Sequence, residues 1–321
     1  MKILKRILRI TVIVVAAIAL LICGANIFVR VSFSAFFDRS EKYSNIPGTR
    51  DNFVQQGLCE YNGGFLTAGY MSDGSASRVY YFDKEKSYYV ELANEDGTKY
   101  DGHAGGIAIN GEYVYITNAK KLDVFSLSDF SADKKTAKAI GKIDAPIKTA
   151  FCSVNGGFLF IGSFYREQGD KYKTEEWEHI KTPDGTLNPA TIISYRLDVS
   201  AKDNFGVKKT PESVFSAPAL VQGICFTPDC MVLSTSYGLA ASHLYFYEFS
   251  ASKKDSIEID GVKANLYYLD GKVLRNTVKV IPMSEGIVYK EGKIYIMSEA
   301  ASNKDIFGKF VGLGNFYSYN V

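Results

Sequence analysis

Short runs of alternating apolar and polar residues, separated by tight-turn residues, make up most of this chain. In the stretch 284–298, the apolar run 287–289 is followed by Glu291-Gly292 and then by a second apolar run at 293–296. Alternation with a period of two predicts half-buried strands. A Gly-containing turn pair between two such runs predicts a hairpin. The stretch 284–298 is therefore predicted to form a β-hairpin.

The same hairpin pattern occurs in four further places, each time after a small residue. Every copy continues into a third run rich in Tyr and Phe, such as 78–82 and 243–247, and four copies have a further outer strand. The small residues that precede the five first strands are Gly57, Gly106, Ala150, Gly223 and Gly286. The predicted outer strands are 89–92, 139–143, 213–216 and 278–281. Units of four strands repeated around an axis form a β-propeller, so the sequence predicts an all-β fold with five blades.

The spacing of the repeats indicates insertions and a way of closing the ring. Consecutive small residues are 49, 44, 73 and 63 residues apart, against about 40–50 for a compact blade. The last copy ends on its third strand, so we expect the segment Tyr43–Pro47 to supply its outer strand. Six blades are the alternative if 255–270 forms an extra unit around Asn265–Leu269. An open β-sandwich of five hairpins is the other alternative.

The N-terminal segment differs in character from the rest of the chain. Ile10–Val29 is 20 residues long without a charge, which at about 1.5 Å per residue spans one bilayer core. Basic residues precede it, so the N-terminus is expected in the cytoplasm and the remainder outside. We therefore predict a single-pass signal anchor at 1–30, a linker at 31–45 and an extracytoplasmic propeller domain at 46–321. A cleaved signal peptide is the rival interpretation, with Phe33-Ser34-Ala35 as a poor cleavage site.

Charge and cysteine content exclude some classes of function. The net charge of +2 includes five basic residues and no acid within 1–30, which leaves −3 for the rest of the chain. That balance does not predict a nucleic-acid-binding surface. Cys59, Cys152 and Cys225 occupy equivalent repeat positions, where a free cysteine packs as a small apolar residue. No disulfide framework is expected.

Candidate binding residues follow from the repeat, because the residues just before the first strands form a ring around the axis. Three of them are polar side chains at the same repeat position, Gln56, Gln222 and Glu285, and His103 lies shortly before the second copy. The longest loop, 163–190, holds the single tryptophan, Trp177, and long ordered loops in compact domains are usually functional. Arg78 and His243 occupy matching positions where a loop meets a third strand. The predicted ligand-binding set is Gln56, His103, Gln222, Glu285, Trp177, Arg78 and His243.

The sequence offers few signs of catalysis. It contains no G-x-S-x-G elbow, and the glycines at 102–106 precede a strand rather than a helix. Catalytic residues therefore stay unknown. Glu285 is the candidate metal ligand and calcium the candidate cofactor, although one carboxylate and two amides supply few of the six to eight oxygens that calcium takes.

The repeat entries Gln56-Gly57-Leu58, His103–Ile107 and Ser284–Ile287 resemble the blade entries of secreted and membrane-anchored bacterial β-propellers. That group is similar to the gluconolactonase- and paraoxonase-like propellers, whose blade-entry Glu, Asn and Asp residues bind calcium. The resemblance covers residues from about 50 to 321 as a repeat pattern. It implies a calcium-assisted lactonase or esterase, with Glu285 as a ligand and His103 as a general base. Only Glu285 matches the calcium-binding positions in kind, since Gln56, Gly105, Thr149 and Gln222 replace the others.

These observations favour a membrane-anchored, extracytoplasmic binding module over an enzyme and leave both classes open. Its partners would be the membrane, through the N-terminal helix, and a cell-surface glycan, small molecule or protein. The lactonase is one alternative. A glycan-active five-bladed enzyme is another, and it requires two carboxyl groups flanking the scissile bond. Besides Glu285, the predicted face offers the loop acids Asp73, Glu167 and Glu299.

Overall fold

The computed structural model describes residues 2–248, 255–305 and 307–321, with the side chain of residue 307 left aside. The chain begins with the long helix α1 (Lys2–Ser32), the single turn α2 (Ser34–Phe37) and the strand β1 (Ser40–Asn45). Five antiparallel four-stranded units follow around a common axis. The described residues thus form a β-propeller with five blades, as the repeat predicts.

The blades follow one another along the chain, and each starts with its innermost strand. Blade 1 is β2 (Phe53–Tyr61), β3 (Gly64–Met71), β4 (Arg78–Phe82) and β5 (Ser87–Ala93). Blade 2 is β6 (Ile107–Asn110), β7 (Tyr113–Asn118), β8 (Lys121–Ser126) and β9 (Thr136–Asp144). The next two strands, β10 (Thr149–Asn155) and β11 (Phe158–Ser163), start blade 3, and a small hairpin of β12 (Ile180–Lys181) and β13 (Leu187–Asn188) follows. Blade 3 is completed by β14 (Ala190–Leu197) and β15 (Val207–Ala217).

The second half of the propeller contains one inserted hairpin. Blade 4 begins with β16 (Val221–Phe226), β17 (Cys230–Thr235) and β18 (Ser242–Glu248). The hairpin β19 (Asp255–Ile259) and β20 (Val262–Tyr268) precedes its outer strand β21 (Leu274–Val280). Blade 5 is β22 (Ser284–Lys290), β23 (Lys293–Ser298) and β24 (Asn315–Asn320), and the helical turn α3 (Phe307–Phe310) lies between the last two. Short 3₁₀ turns occur at Leu127–Asp129, Asp170–Tyr172, Glu176–Glu178, Lys202–Asn204, Glu299–Ala301 and Asn303–Asp305.

The ring closes through the N-terminal strand. β1 pairs antiparallel with β24, with Ser40 opposite Tyr319 and Asn45 opposite Asn315. The outer strand of blade 5 therefore comes from the segment just before blade 1, as expected from the truncated last repeat. Closure joins the two ends of the propeller and covers an edge that could otherwise pair with another chain.

The stretch that could have formed a sixth blade instead widens blade 3. β20 pairs in parallel with β15, with Ser213 opposite Asn265 and Ser216 opposite Tyr268, and β19 pairs with β20 on the outside. The hairpin therefore adds to the outer edge of blade 3 and does not contribute an inner strand. This arrangement accounts for the long spacing between the fourth and fifth repeats.

The small residues at the blade entries allow the inner strands to approach closely. A Cβ atom added to Gly57 would lie 2.6 Å from the Ile107 nitrogen, and one added to Gly286 would lie 2.7 Å from the Leu58 nitrogen. In the same way, a Cβ atom on Gly223 would lie 2.8 Å from the carbonyl oxygen of Glu285. Real Cβ atoms do not approach backbone atoms this closely, so the radius of the ring depends on these glycines.

Aromatic residues fill the spaces between blades. Between blades 5 and 1, Phe65 packs on Tyr295 and Phe316 with ring centroids 4.7 and 5.0 Å apart. Rings at these distances in tilted and edge-to-face arrangements stabilise a core beyond their buried area. Of the cysteines, Cys152 and Cys225 are buried and unbridged, in keeping with the expected role as small apolar side chains.

The chain before the propeller is partly built into it. Phe36 is fully buried, Val29 and Phe33 are nearly so, and all three lie in the core cluster shared by blades 4 and 5. The segment 31–45, expected as a linker, therefore holds the end of α1, α2 and β1. Most of α1 projects from the propeller and is long and apolar enough to cross a membrane.

Candidate functional site

A cavity of about 490 Å³ opens at one end of the propeller axis. Residues just before or at the start of the inner strands line it, together with the loops that connect the second and third strands of blades 3, 4 and 5. We call this end of the molecule the cavity end. Its volume falls in the range of small-molecule sites, which are typically concave with a few convergent polar groups.

Four of the seven predicted binding residues meet in this cavity. They come from four different blade entries and are Gln56, His103, Gln222 and Glu285. Gln56, Gln222 and Glu285 hold the same repeat position, which accounts for their convergence on the axis. His103 precedes the equivalent position of the second copy by two residues.

Trp177 lies outside the cavity, although its loop contributes to the lining. The 3₁₀ turn Glu176–Glu178 buries Glu178, whose carboxylate accepts hydrogen bonds from Ser163 Oγ at 2.5 Å and Thr191 Oγ1 at 3.0 Å. This anchoring turns half-buried Trp177 onto the core cluster between blades 2 and 3. The loop instead presents Phe164 and Tyr172 to the cavity.

Arg78 and His243 also lie outside the cavity. The Arg78 guanidinium is 3.1 Å from the Glu91 carboxylate and 4.2 Å from the centroid of the Tyr89 ring. His243 stacks on Tyr245 with the ring centroids 6.0 Å apart. Both residues start third strands, which are farther from the axis than the inner strands, and their partners belong to the outer part of the blade.

Glu285 and Glu299 form a buried carboxyl pair at the bottom of the cavity. Glu285 is 3% exposed and Glu299 is 9% exposed, and the two side chains are within hydrogen-bonding contact. Burial, together with the nearby Glu299 carboxylate, raises the pKa of Glu285 well above its ordinary value. Two carboxyl groups in contact cannot both ionise easily, which favours the protonated form of Glu285. Gln222 donates from Nε2 to Glu285 Oε1 at 3.3 Å.

The hairpin register brings this pair together. Ser284 lies opposite Ser298, and the Glu299 amide donates to the Met283 carbonyl at 2.8 Å. Glu299, the first residue of the 3₁₀ turn that follows β23, thus lies next to Glu285 on β22. From the sequence, Glu299 is only one of several loop acids. A simple count back from the Glu291-Gly292 turn pairs it with Ser284, and the register shift between Ser284 and Ile287 changes that pairing.

Lys304 and Tyr70 complete the polar side of the cavity. Lys304 Nζ is 3.1 Å from Glu299 Oε1 and 2.7 Å from Tyr70 Oη. Burial opposes the charge on Lys304, but the hydrogen bond to Tyr70 and the Glu299 carboxylate outweigh it and raise its pKa. Lys304 therefore stays protonated and forms an ion pair with Glu299.

His103 stacks on Tyr70, with ring centroids 4.8 Å apart and an interplanar angle of 24°. Burial lowers the pKa of His103, so its imidazole is neutral at physiological pH. We use the name polar floor for Glu285, Glu299, Lys304 and His103. A neutral ring and a carboxyl group that holds its proton give this floor both hydrogen-bond donors and acceptors.

Opposite the polar floor, three aromatic residues form what we call the aromatic wall: Phe164, Tyr172 and Tyr237. Tyr172 packs edge-on against Phe164 at 5.5 Å and against Tyr237 at 6.2 Å between centroids. Arg166 contacts Tyr237 in two ways. Its Nη1 donates to the hydroxyl oxygen at 2.7 Å, and its guanidinium lies 3.8 Å from the ring centroid. The wall joins the loops of blades 3 and 4.

Two buried oxygens at the cavity have no hydrogen-bond partner within the part of the chain that the structure describes. They are Ser236 Oγ and Asp305 Oδ2, and both residues line the cavity. Burial raises the pKa of Asp305. Buried polar atoms are normally hydrogen-bonded, so these oxygens are available to a ligand.

The site does not fit calcium. Over residues 2–248, 255–305 and 307–321, no group of three or more His, Cys, Asp and Glu side chains is arranged to hold a metal ion. Glu285 favours its neutral form, and Glu299 is engaged by Lys304. A calcium site requires several ionised or carbonyl oxygens directed at one point, and the polar floor does not provide them.

Comparisons with known proteins place the chain by fold only. No protein-family model matches the sequence, and no curated protein matches it. A luciferin-regenerating enzyme is similar in structure, with 14% identity, a TM-score of 0.41 and coverage of 88% of this chain and 95% of the other. An oxidoreductase of the glucose dehydrogenase type from Thermus thermophilus has 11% identity, a TM-score of 0.43 and coverages of 87% and 99%.

A second glucose dehydrogenase structure has 10% identity and a TM-score of 0.43, with coverages of 88% and 99%. Similarities at this level do not assign an activity. The chemistry of this cavity has to be inferred from its own residues.

Proposed function

We propose that this protein is a membrane-anchored, extracytoplasmic binding module that recognises a small polyhydroxylated ligand, such as the terminal sugars of a cell-surface glycan. The observation that supports this most directly is the two-sided cavity, with the aromatic wall facing the polar floor. A sugar ring has apolar C–H faces and a polar edge of hydroxyl groups. Aromatic rings cover the faces, and fixed donors and acceptors bind the edge.

The hydrogen-bonding capacity of the cavity suits hydroxyl groups, each of which donates and accepts. Protonated Glu285 offers a donor and an acceptor, and neutral His103 offers one of each. Ser236 Oγ and Asp305 Oδ2 supply further groups that lack a partner within the described residues. A ligand hydroxyl would satisfy such groups, whose burial without a partner is otherwise unfavourable.

The polar floor favours a neutral ligand over an ionic one, because its charges are already paired. It contains an ion pair, Glu299 with Lys304, and two groups whose pKa shifts favour their neutral forms, Glu285 and His103. Two further lysines line the cavity away from this floor: Lys148 Nζ donates to the Lys173 carbonyl at 3.1 Å, and Lys171 Nζ lies 4.6 Å from the centroid of the Tyr172 ring.

The anchored location rests on α1. Its apolar stretch follows four basic residues, Lys2, Lys5, Arg6 and Arg9, which favour a cytoplasmic N-terminus. Cleavage near residue 35 would remove Phe33, which is 7% exposed, from the core of the propeller. That loss supports retention of the helix. Alkaline carbonate extraction of membranes tests it, because a retained anchor stays in the pellet and a cleaved product enters the supernatant.

The binding test compares two tyrosines of equal exposure. Tyr237 is 39% exposed in the aromatic wall, and Tyr89 is 42% exposed on the outer strand of blade 1. We would screen the full chain in detergent against a glycan array and measure affinity for each hit by calorimetry. Tyr237→Ala should weaken binding strongly and Tyr89→Ala should not. Equal affinities for both variants, or no glycan bound by the parent, would contradict the proposal.

A hydrolase is the second candidate, because neutral His103 lies in the same cavity and could accept a proton from an attacking water. Turnover of esters or lactones that disappears in His103→Gln would favour this function. The carboxyl pair is less suited to glycoside cleavage. Its members are in contact, whereas the two carboxyl groups of a retaining glycosidase are about 5 Å apart to accommodate the sugar between them.

A further inference from the structure

The last part of α1 is docked on the propeller at defined points. Asn26 Nδ2 donates to the Phe310 carbonyl at 2.6 Å, and Lys279 Nζ donates to the Ser32 carbonyl at 3.2 Å. Ala25 packs against the core cluster that contains Val29. The direction in which α1 leaves the propeller is therefore fixed by contacts along about two turns of helix.

These contacts show that α1 leaves from the cavity end. Phe310 belongs to the loop between β23 and β24, the same loop that places Glu299, Lys304 and Asp305 in the cavity. Lys279 is near the end of β21 that pairs with the start of β18, which also lies at the cavity end. At the opposite end, the Asn320 amide donates to the Arg39 carbonyl. The chain therefore runs from the cavity end at Asn26 to the opposite end at Arg39.

The docking contacts also determine where along the apolar stretch of α1 the propeller is attached. Asn26 is four residues before Arg30, the first charged residue after that stretch, and so lies about 6 Å farther into it along the helix. The Phe310 carbonyl is hydrogen-bonded to Asn26 and shares its level. If α1 spans a bilayer, the loop around Phe310 reaches the boundary between headgroups and acyl chains.

Exposed apolar side chains occur at the cavity end of the two blades that hold α1. Tyr237, Leu239 and Phe310 are 39%, 67% and 49% exposed. They lie in the second-to-third-strand loops of blades 4 and 5, the two blades whose shared core receives Val29 and Phe33. Aromatic and apolar side chains beside the end of a transmembrane helix are typical of residues at the membrane interface.

We propose that the cavity end rests on the bilayer that α1 spans, with Leu239 and Phe310 inserted at the lipid interface. The surface partner is thus the lipid bilayer itself. The cavity then opens at the membrane surface, so its ligand is one that the membrane presents, such as the sugar headgroup of a glycolipid. The orientation depends on the proposed anchoring by α1, and only the ligand class depends on the proposed sugar binding.

The test measures the depth of single introduced tryptophans. The full chain is reconstituted in vesicles of phosphatidylcholine and phosphatidylglycerol that contain brominated phosphatidylcholine, a quencher located in the acyl region. Leu239→Trp and Phe310→Trp should lose much of their added fluorescence relative to vesicles without bromine. Val199→Trp and Val321→Trp are the controls, because these exposed residues lie at the opposite end of the propeller. The parent protein gives the baseline from Trp177.

Three results would overturn the orientation. They are unquenched tryptophans at 239 and 310, equal quenching at 199 and 321, and a parent protein that fails to float with the vesicles. The last result would remove the anchoring itself. Because no ligand is added, none of these outcomes bears on sugar binding, which the glycan measurements address separately. Thermal unfolding of each variant shows that the propeller is intact.

Discussion

The carboxyl groups of Glu285 and Glu299 are in hydrogen-bonding contact in the axial cavity, and Lys304 forms its ion pair with Glu299. Burial and the neighbouring Glu299 raise the pKa of Glu285, so the pair favours a proton on Glu285. Glu285 is thus a hydrogen-bond donor beside an ion pair. A pair with divided roles of this kind is a feature of a ligand site, because a core without a ligand gains little from two buried acids.

The pKa of Glu285 predicts how stability depends on pH. A carboxyl group with a raised pKa in the folded state binds more protons there than in the unfolded state. Its contribution to stability is therefore present at low pH and is lost as pH rises from the unfolded pKa toward the folded one. Glu285→Gln keeps the neutral shape, so we expect the variant to gain stability relative to the parent as pH rises. Urea unfolding at several pH values measures the difference.

Glu178→Gln is the comparison for that experiment. Glu178 is as deeply buried but accepts hydrogen bonds from Ser163 and Thr191, and an amide offers fewer acceptor sites than a carboxylate. We expect this variant to be less stable than the parent at neutral pH. If Glu285→Gln is likewise destabilised at neutral and alkaline pH, the carboxyl pair does not share a proton.

The close approach of the inner strands predicts a contrast between two glycines. Gly57→Ala would place a Cβ atom 2.6 Å from the Ile107 backbone nitrogen, whereas nothing lies within 4 Å of the corresponding position at Gly111. Gly111 has φ = +58°, so Gly111→Ala should cost about 1–2 kcal/mol for a left-handed residue. Gly57→Ala should cost more, since two blades must move apart. Similar unfolding free energies for the two variants would show that the ring can expand.

The repeat pattern was sufficient to predict the blades, the closing strand and the convergence of three cavity residues. All of these depend on period-two alternation, on turn residues and on the equivalence of repeat positions, which are local properties of the sequence. Gln56, Gln222 and Glu285 converge for that reason. The six-blade alternative remained open in the sequence because Asn265–Leu269 has the pattern of a strand, and only sheet pairing shows that it joins β15.

The remaining site residues depend on the paths of loops, which have no periodicity. Trp177 was selected for its residue type, but the burial of Glu178 directs it to the core. Tyr172 and Lys304 enter the cavity from long loops whose conformation is set by contacts far apart in the chain. Arg78 and His243 do share a repeat position, yet that position is distant from the axis. Two residues at equivalent repeat positions are expected to have similar surroundings. The repeat does not show whether those surroundings are the axial cavity or the outer part of the blade.

The docking of α1 predicts a contrast between two phenylalanines. Phe36 is fully buried beside Tyr317 and Tyr319, with centroids 5.6 and 5.9 Å apart, whereas Phe28 is 69% exposed on α1. Phe36→Ala should lower the free energy of unfolding by about 3–5 kcal/mol, the usual cost of removing a buried aromatic ring. Phe28→Ala should have little effect in detergent. Equal stability of Phe36→Ala and the parent would mean that the segment before β1 is a simple tether.

Two histidines provide the most direct test of the cavity. His103 stacks on Tyr70 in the polar floor, whereas His243 stacks on Tyr245 away from the cavity. We expect His103→Ala to weaken binding of any sugar that the parent binds, and His243→Ala to leave the affinity unchanged. Because burial lowers the pKa of His103 below that of an ordinary histidine, the imidazole is mainly neutral at pH 7 and above, and titration of His103 should alter affinity little between pH 7 and pH 8. Calorimetry at these two pH values measures this. An affinity that falls sharply from pH 8 to pH 7 in the parent and not in His103→Ala would show that the ring becomes charged, and would contradict the neutral floor on which the choice of a polyhydroxylated ligand rests.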